Sequence, residues 1–171
     1  MTPALYLAHD HTARLCLRSP VPEDFAAVYV IQADPATNAF KPSGPSTAEE
    51  CSAMLASWIA DWRSSVGYWC VRLAEGGPIA GIGGLRLEPW GDEQVLNLYY
   101  RFAPTAWGHG YATELAQHCV SAAQGAMPDV VVQARIRQNN VASLAVAQRA
   151  GLRQTGVEPD EFGDRQILRT G

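Results

Sequence analysis

The chain has 171 residues, 17 acidic and 13 basic side chains for a net charge of −4, and an apolar fraction of 47%. This length fits one domain, and we expect residues 1–171 to form a single one. The composition excludes a disordered or fibrous chain, and the scattered, net acidic charge disfavours a general nucleic-acid binder. No apolar run reaches the roughly 18 residues that span a bilayer, and the first residues lack a basic region and a cleavage site. We therefore expect a cytoplasmic protein with neither a nucleic acid nor a membrane as partner.

The cysteines show no metal-binding or redox pattern. Cys16, Cys51, Cys70 and Cys119 form no CxxC pair and are not interleaved with histidines. Their spacing favours small buried side chains in a reducing compartment over disulfides or a zinc site. We expect no metal.

The first predicted elements of the chain are a short strand and a helix. Leu15 and Leu17 alternate with more polar neighbours, which predicts the strand. The first helix is expected to begin at Pro22, since proline suits the first helical position, and to end at Asp34 before Pro35.

The second helix has the strongest helical pattern in the chain. The run Ser46-Thr47-Ala48-Glu49 indicates a capping box, in which Ser46 caps the helix and Glu49 reaches back to it. Apolar residues then recur at three- and four-residue steps and predict one buried stripe: Cys51, Met54, Leu55, Trp58, Ile59 and Trp62.

Three strands with short Gly- and Pro-containing turns follow, which predicts an antiparallel meander. They cover residues 68–73, 79–87 and 95–102. Gly81, Gly83 and Gly84 in the middle strand indicate a bulge or a close approach of another backbone.

The last third contains two more helices and three more strands. A helix is expected from about Gly110 until Gly125 and Pro128 close it, and a strand buried on both faces from residue 129. Asn140 is expected to cap a short helix that ends near Gly151, before weak strands at 152–156 and 166–169. The order β-α-α-β-β-β-α-β-α-β-β predicts a mixed α/β domain without the regular alternation of a doubly wound fold.

Residues 104–114 carry the main chemical signal, because a strand there leads through a glycine-containing turn directly into a helix. The first turn of a helix has unpaired amides and partial positive charge, so it can bind phosphate. Gly108 and Gly110 let a ligand approach the backbone, Ala112 keeps the second turn small, and Thr113 adds a hydroxyl. Two glycines can also simply form a tight turn. The spacing lacks the features of a dinucleotide fold or a P-loop.

Several motifs in this order resemble those of the GNAT N-acetyltransferases. The segment Trp107–Ala112 is similar to the family's acetyl-CoA loop Q/R-x-x-G-x-G/A, with Trp107 in place of Gln or Arg. Tyr100–Pro104 resembles the strand that leads to this loop, and Asn140–Ser143 followed by Ala150-Gly151-Leu152 resembles the NxxS…xxGF stretch. Tryptophan at the first loop position is typical of a branch similar to ribosomal-protein N-terminal acetyltransferases.

The resemblance implies a fold and a cofactor site. It implies a GNAT fold, with a mostly antiparallel sheet of six to seven strands, splayed fourth and fifth strands and four flanking helices. It also implies acetyl-CoA as co-substrate, with the pantetheine arm along the backbone of Tyr100, Arg101 and Phe102 and hydrogen-bonded to Asn140. The implied pyrophosphate loop comprises Trp107, Gly108, His109, Gly110, Tyr111, Ala112 and Thr113.

The catalytic groups are less defined. The tyrosine that donates a proton in many relatives corresponds to Ala147, so Ser143 is the candidate proton donor; the alternative is an ordinary polar residue in a first helical turn. The usual acidic positions correspond to Arg135 and Asn97. Glu158, Asp160 and Glu161 remain candidate bases, with a solvated turn or a water-mediated base as alternatives. His109 is expected to be exposed, and Phe40, Lys41 and Tyr99 are weaker candidates for lining the acceptor pocket.

These residues predict an enzyme that moves an acetyl group from acetyl-CoA to a primary amine by direct attack in a ternary complex. The acceptor is a small molecule or a protein N-terminus, and a homodimer is left open. A catalytically silent acyl-CoA sensor and a site for another phosphate ligand are the competing interpretations.

Overall fold

The computed structural model describes residues 8–64 and 66–171. Residues 1–7, at the start that was expected to lack a signal peptide, lie outside this part. Across the described chain no helix is long and apolar enough to cross a membrane.

The described residues form one eight-stranded mixed sheet and four α-helices. The strands are β1 (His9–His11), β2 (Cys16–Arg18), β3 (Tyr68–Arg72), β4 (Ile79–Trp90), β5 (Glu93–Phe102), β6 (Val132–Arg137), β7 (Arg153–Glu158) and β8 (Arg165–Arg169). The helices are α1 (Phe25–Ala33), α2 (Ala48–Asp61), α3 (Tyr111–Ala126) and α4 (Val141–Arg149).

The strand order is β1-β2-β3-β4-β5-β6-β8-β7, and every neighbouring pair is antiparallel except β5 and β6. The predicted mixed, mostly antiparallel fold is therefore confirmed, with one strand more than expected. The added strand is β1, three residues paired with β2 at the edge of the sheet. The splayed fourth and fifth strands of the prediction are β5 and β6 in this numbering.

Two hydrophobic clusters cover the two faces of the sheet. One contains α3 and α4 residues such as Leu115 and Ala147, together with Trp69 from β3. The other contains Val28 of α1, Trp58 of α2 and Tyr68, the neighbour of Trp69 in β3. Because successive strand residues point to opposite faces, each central strand contributes to both clusters.

Several predicted element ends were wrong by a few residues. The first helix does begin at Pro22, as expected, but its first turn over Pro22–Asp24 is 3₁₀ and α1 follows it. Thr47, not Ser46, caps α2: its hydroxyl accepts from the Glu50 N–H, and the Glu50 carboxylate accepts from the Thr47 N–H. Gly125 lies inside α3, which continues to Ala126. The buried strand begins at Val132 instead of residue 129, because only there does the chain pair with β5.

Candidate active site

The candidate site lies where β5 and β6 separate. The two strands pair only at Leu96–Val132 and Asn97–Gln133, so the β6-facing edge of β5 has no strand partner beyond Asn97 among residues 8–64 and 66–171. A cavity of about 890 Å³ opens there. An unpaired strand edge can bind an extended amide-containing ligand by strand addition.

The loop before α3 forms one wall of this cavity. Gly108 and Gly110 have φ angles of 80° and 78°, a left-handed region that glycine adopts without strain. The first intrahelical bond runs from the Glu114 N–H to the Gly110 carbonyl, so the Tyr111, Ala112 and Thr113 amides precede the helical ladder and have no acceptor among the described residues. These amides, with the helix dipole behind them, are a suitable site for a phosphate anion.

Three side-chain contacts hold this loop. The Trp107 indole N–H donates to the Phe102 carbonyl at 2.8 Å, which ties the loop to the end of β5. Arg14 donates to the His109 carbonyl at 2.8 Å and to Glu114 at 2.6 Å. Burial alone would raise the pKa of Glu114, but hydrogen bonds from Thr12 and Arg14 outweigh it and lower that pKa. The carboxylate therefore keeps its charge and holds Arg14 against the loop.

The start of α4 forms the opposite wall. Asn140 Oδ1 accepts from the Ser143 N–H at 3.2 Å, as expected for the predicted cap. The Tyr100 hydroxyl donates to the Ser143 carbonyl at 2.7 Å, which joins α4 to β5 across the cavity. Burial raises the pKa of Tyr100, so the phenol keeps its proton. These two bonds use backbone groups of Ser143. Its half-buried hydroxyl lines the cavity beside the Tyr100 hydroxyl, with which it also forms a hydrogen bond.

The structure brings all but one of the residues predicted to bind acetyl-CoA or to donate the proton around one cavity. Those that line it are Tyr100, Arg101, Phe102, Trp107, Gly108, Gly110, Tyr111, Ala112, Thr113, Asn140 and Ser143. His109 is exposed and does not line it; its ring stacks on Tyr111 with 5.3 Å between ring centroids. Phe40, Lys41 and Tyr99 also line this cavity.

The candidate bases lie outside this cavity. Asp160 and Glu161 line an adjoining depression near the β7–β8 turn, while Glu158 lies 3.7 Å from Arg135 and 3.9 Å from Arg165. The Phe162 N–H and Arg137 both donate to Asp160 and lower its pKa, which makes it a poorer proton acceptor.

The two replaced acidic positions supply no carboxylate either. Asn97 does not line the cavity, and its side chain donates to the hydroxyl of buried Tyr68 at 2.8 Å. Arg135 lies 5.0 Å above the Trp90 ring. In the described ranges no cluster of three His, Cys, Asp or Glu side chains could hold a metal ion.

Sequence reasoning missed two sets of supporting residues. Arg14 and Glu114 are a hundred positions apart and share no motif, so nothing local predicts that they meet. The same holds for Gln32 and Asn38, which bind the Arg101 side chain.

The family follows from the sequence of most of the chain. Residues 14–153 match the family described as "Acetyltransferase (GNAT) domain". The chain belongs to the GNAT acetyltransferase family. The predicted family and enzyme class are thereby confirmed, whereas the narrower branch of ribosomal-protein N-terminal enzymes is not established.

Solved structures of other acetyltransferases share the fold of this GNAT domain. An acetyltransferase from Agrobacterium tumefaciens superposes with a TM-score of 0.82 at 23% identity, covering 97% of this chain and 95% of the other. A GNAT-family acetyltransferase from Bacillus anthracis has a TM-score of 0.78 at 20% identity, covering 94% and 96%. AAC(6')-Ib, solved with paromomycin and acetyl-CoA, has a TM-score of 0.72 at 18% identity, covering 91% and 92%.

Proposed function

We propose that this GNAT domain transfers an acetyl group from acetyl-CoA to the primary amine of a small molecule or a protein N-terminus. The observation that carries the proposal is the convergence of the unpaired β5 edge and the free amides of α3 on one cavity. A phosphate-binding helix start and an edge for an amide-containing arm are the two features that acetyl-CoA needs, and here they are adjacent.

The residues present fit this co-substrate. In the proposal the amides of Tyr111, Ala112 and Thr113 hold the pyrophosphate, and the positive φ of Gly108 and Gly110 shapes the loop around it. The backbone of residues 100–102 accepts and donates along the pantetheine arm. No Asp or Glu from the described ranges lines the cavity, so nothing there repels the phosphates.

The proposed reaction is direct attack. The amine lone pair forms a C–N bond to the thioester carbonyl carbon, and collapse of the tetrahedral adduct breaks the C–S bond. The amine proton leaves to water, and the thiolate takes a proton from the Ser143 hydroxyl, which solvent then reprotonates. Backbone N–H groups at the β5 edge stabilise the developing oxyanion. Most of the acceleration then comes from holding the two reactants together.

A catalytically silent acyl-CoA sensor is the second candidate. The absence of a carboxylate from the described cavity lining favours it, because the acceptor amine then has no adjacent base. Within the enzymatic proposal, transfer of the amine proton to water accounts for the same absence of a carboxylate.

We propose a reducing cytoplasm as the location of this protein, which agrees with the four free thiols.

Cofactor binding is tested by titrating the protein with acetyl-CoA, CoA and dephospho-CoA by calorimetry. We expect Gly110→Trp to abolish binding of all three. Gly76→Trp is the matched control, since Gly76 has a similar φ of 72° and open surroundings but lies in the β3–β4 turn outside the cavity. Equal loss in both variants, or no binding by the folded wild type, would overturn the site.

Ser143→Ala tests the proton donor. Alanine keeps both backbone hydrogen bonds of this position, so we expect unchanged acetyl-CoA affinity and a kcat about 100-fold lower, the range of general acid catalysis. Release of CoA thiol with a panel of amines measures it. An unchanged kcat would remove Ser143 from the mechanism, and acetyl-CoA binding without turnover of any amine would favour the silent sensor.

A further inference from the structure

The cavity has two halves because side chains alternate along β5. Tyr100 and Phe102 face α3 and α4, the side on which the phosphate-binding loop lies. Tyr99 and Arg101 face α1 and the loop that connects it to α2. In the proposed function the acceptor enters from this second half.

Arg101 is held in the second half by buried neutral groups. Its Nη1 donates to Gln32 Oε1 at 3.0 Å and to Asn38 Oδ1 at 2.9 Å. Gln32 and Asn38 are only 2% and 4% exposed. Gln32 Nε2 donates to the Tyr99 hydroxyl and Asn38 Nδ2 to main-chain carbonyls, so both amides have a fixed orientation. Arg101 Nε and Nη2 have no hydrogen-bond partner in the described parts of the chain.

Lys41 is tied to the same cluster. Its N–H donates to the Asn38 carbonyl, and its Nζ donates to the hydroxyl of buried Ser46 at 3.1 Å. The Ser46 N–H in turn donates to the Gln32 carbonyl. Arg101 and Lys41 are therefore positioned by one buried polar network that contributes no negative charge.

Three other arginines that line the cavity have carboxylate partners, unlike Arg101 and Lys41. Arg137 and Arg165 both lie 3.0 Å from Asp160, and Arg135 lies within 3.8 Å of Glu88 and Glu158. Arg101 and Lys41 have no carboxylate within ion-pair distance among residues 8–64 and 66–171, although both line the cavity. A charge removed from bulk water without an opposite charge is unfavourable, so this half of the cavity favours an anion.

We propose that the acceptor amine also carries an anionic oxygen group, bound by the Nε–Nη2 edge of Arg101 with Lys41 beside it. This inference rests on the proposed acetyl transfer. The planar edge of a guanidinium matches two oxygens of a carboxylate or a phosphate, and its charge-assisted bonds are stronger than neutral ones. The structure thus favours amino acids or phosphorylated amines over polycationic acceptors.

A matched amine panel tests the preference. It compares each of several amino acids with its amide, phosphoethanolamine with ethanolamine, and spermidine as the polycation. We expect kcat/KM at least about tenfold higher for the anionic member of each pair, which corresponds to one charge-assisted contact. The pair with the larger ratio of kcat/KM shows whether the acceptor's anionic group is a carboxylate or a phosphate. Equal or higher kcat/KM for neutral and cationic amines would overturn the inference.

Arg101→Met and Lys41→Met assign the preference to these residues. We expect each to reduce the preference for anions by a larger factor than it weakens acetyl-CoA binding. Arg153→Met is the control for loss of one positive charge, since Arg153 is exposed on β7 outside the cavity. A preference retained in both variants would overturn the inference, because the two cations would then not cause it. Weaker acetyl-CoA binding with the preference retained would place the cations on the phosphates of the co-substrate and would overturn it as well.

Binding of the anion is also measured without turnover. Calorimetry with the CoA-bound protein and the same amino acids, compared with their amides, reports the Arg101 contact directly. Binding that requires the carboxylate and is lost in Arg101→Met supports the inference even if no amine releases CoA, in which case only the proposed enzymatic function fails. Absence of any such binding together with absence of an anion preference overturns it.

Discussion

At the residue scale, Arg14 shows how a side chain outside the cavity positions the loop that forms it. Its guanidinium lies 4.7 Å from the centre of the Tyr111 ring and bonds to the His109 carbonyl and Glu114. We expect Arg14→Met to weaken acetyl-CoA binding about three- to tenfold, because the loop backbone loses its outer support. The pair is half-exposed, so the free energy of unfolding should fall by no more than about 1 kcal/mol.

Calorimetry and urea unfolding of the same samples separate the two effects, with Arg153→Met again as the charge control. An affinity that is unchanged would show that the Trp107 indole and the glycines hold the loop without Arg14. A large loss of stability would show instead that Arg14 acts on the fold.

The sequence predicted the site residues whose role depends on their neighbours in the chain. Gly110 and Asn140 begin their helices, and a helix start is visible in the order of neighbouring residues. Arg101 was predicted only for its backbone. The partners of its side chain come from α1 and the following loop, more than sixty positions away, and no local pattern encodes that contact.

At the element scale, two glycines of β4 are needed because neighbouring elements pack closely against this strand. A Cβ on Gly83 would lie 2.5 Å from the Tyr99 carbonyl oxygen and 2.7 Å from Leu115, and one on Gly81 would lie 2.6 Å from the Phe102 ring. The expected close backbone approach is therefore confirmed at Gly83, whereas the close neighbour at Gly81 is the Phe102 side chain. The close approach at Gly83 allows β5 and α3 to pack tightly behind the cavity.

Gly83→Ala should lower the free energy of unfolding by about 1–3 kcal/mol, the usual range for overpacking a core. The control is Gly125→Ala, which meets nothing within 4 Å and lies inside α3, where alanine is favoured by up to about 1 kcal/mol. Urea unfolding of the two variants should give shifts of opposite sign. Equal stability of Gly83→Ala and the wild type would mean that the β5 backbone shifts at this point at little cost in free energy.

The start of α2 shows why element ends were predicted less well than the elements themselves. Ser46 and Thr47 are each followed three residues later by a glutamate, Glu49 and Glu50, so the sequence allows two capping boxes. Ser46 is drawn into contact with Gln32 and Lys41, which leaves Thr47 as the cap. A tertiary contact thus selects between two local solutions.

At the scale of the whole molecule, Asp24 connects the first strands and α1. It accepts from Arg18 at 2.7 Å and from the Val21 N–H at 2.8 Å, and the Cys70 thiol of β3 lies 3.6 Å away. Burial alone would raise the pKa of Asp24. The hydrogen bonds from Arg18 and Val21 outweigh burial, so this pKa lies below its usual value.

A carboxylate whose pKa is lower in the folded state stabilises the fold above its unfolded pKa, and this contribution disappears as the pH falls through the folded pKa. We therefore expect the free energy of unfolding to be level above about pH 5 and to fall below about pH 4. Asp24→Asn should remove about 3 kcal/mol at neutral pH, because Arg18 keeps a partly buried charge without its partner, and should flatten the acid slope.

Urea unfolding between pH 3 and 7 measures both quantities. Glu114→Gln is the comparison, since the pKa of Glu114 is also lowered but its ion pair with Arg14 is more exposed and should contribute a smaller slope. If Asp24→Asn kept the full acid slope, the loss at low pH would belong to the surface carboxylates. If it flattened the slope without weakening acetyl-CoA binding, the α1–β2 junction would stabilise the sheet independently of the loop that forms the cavity.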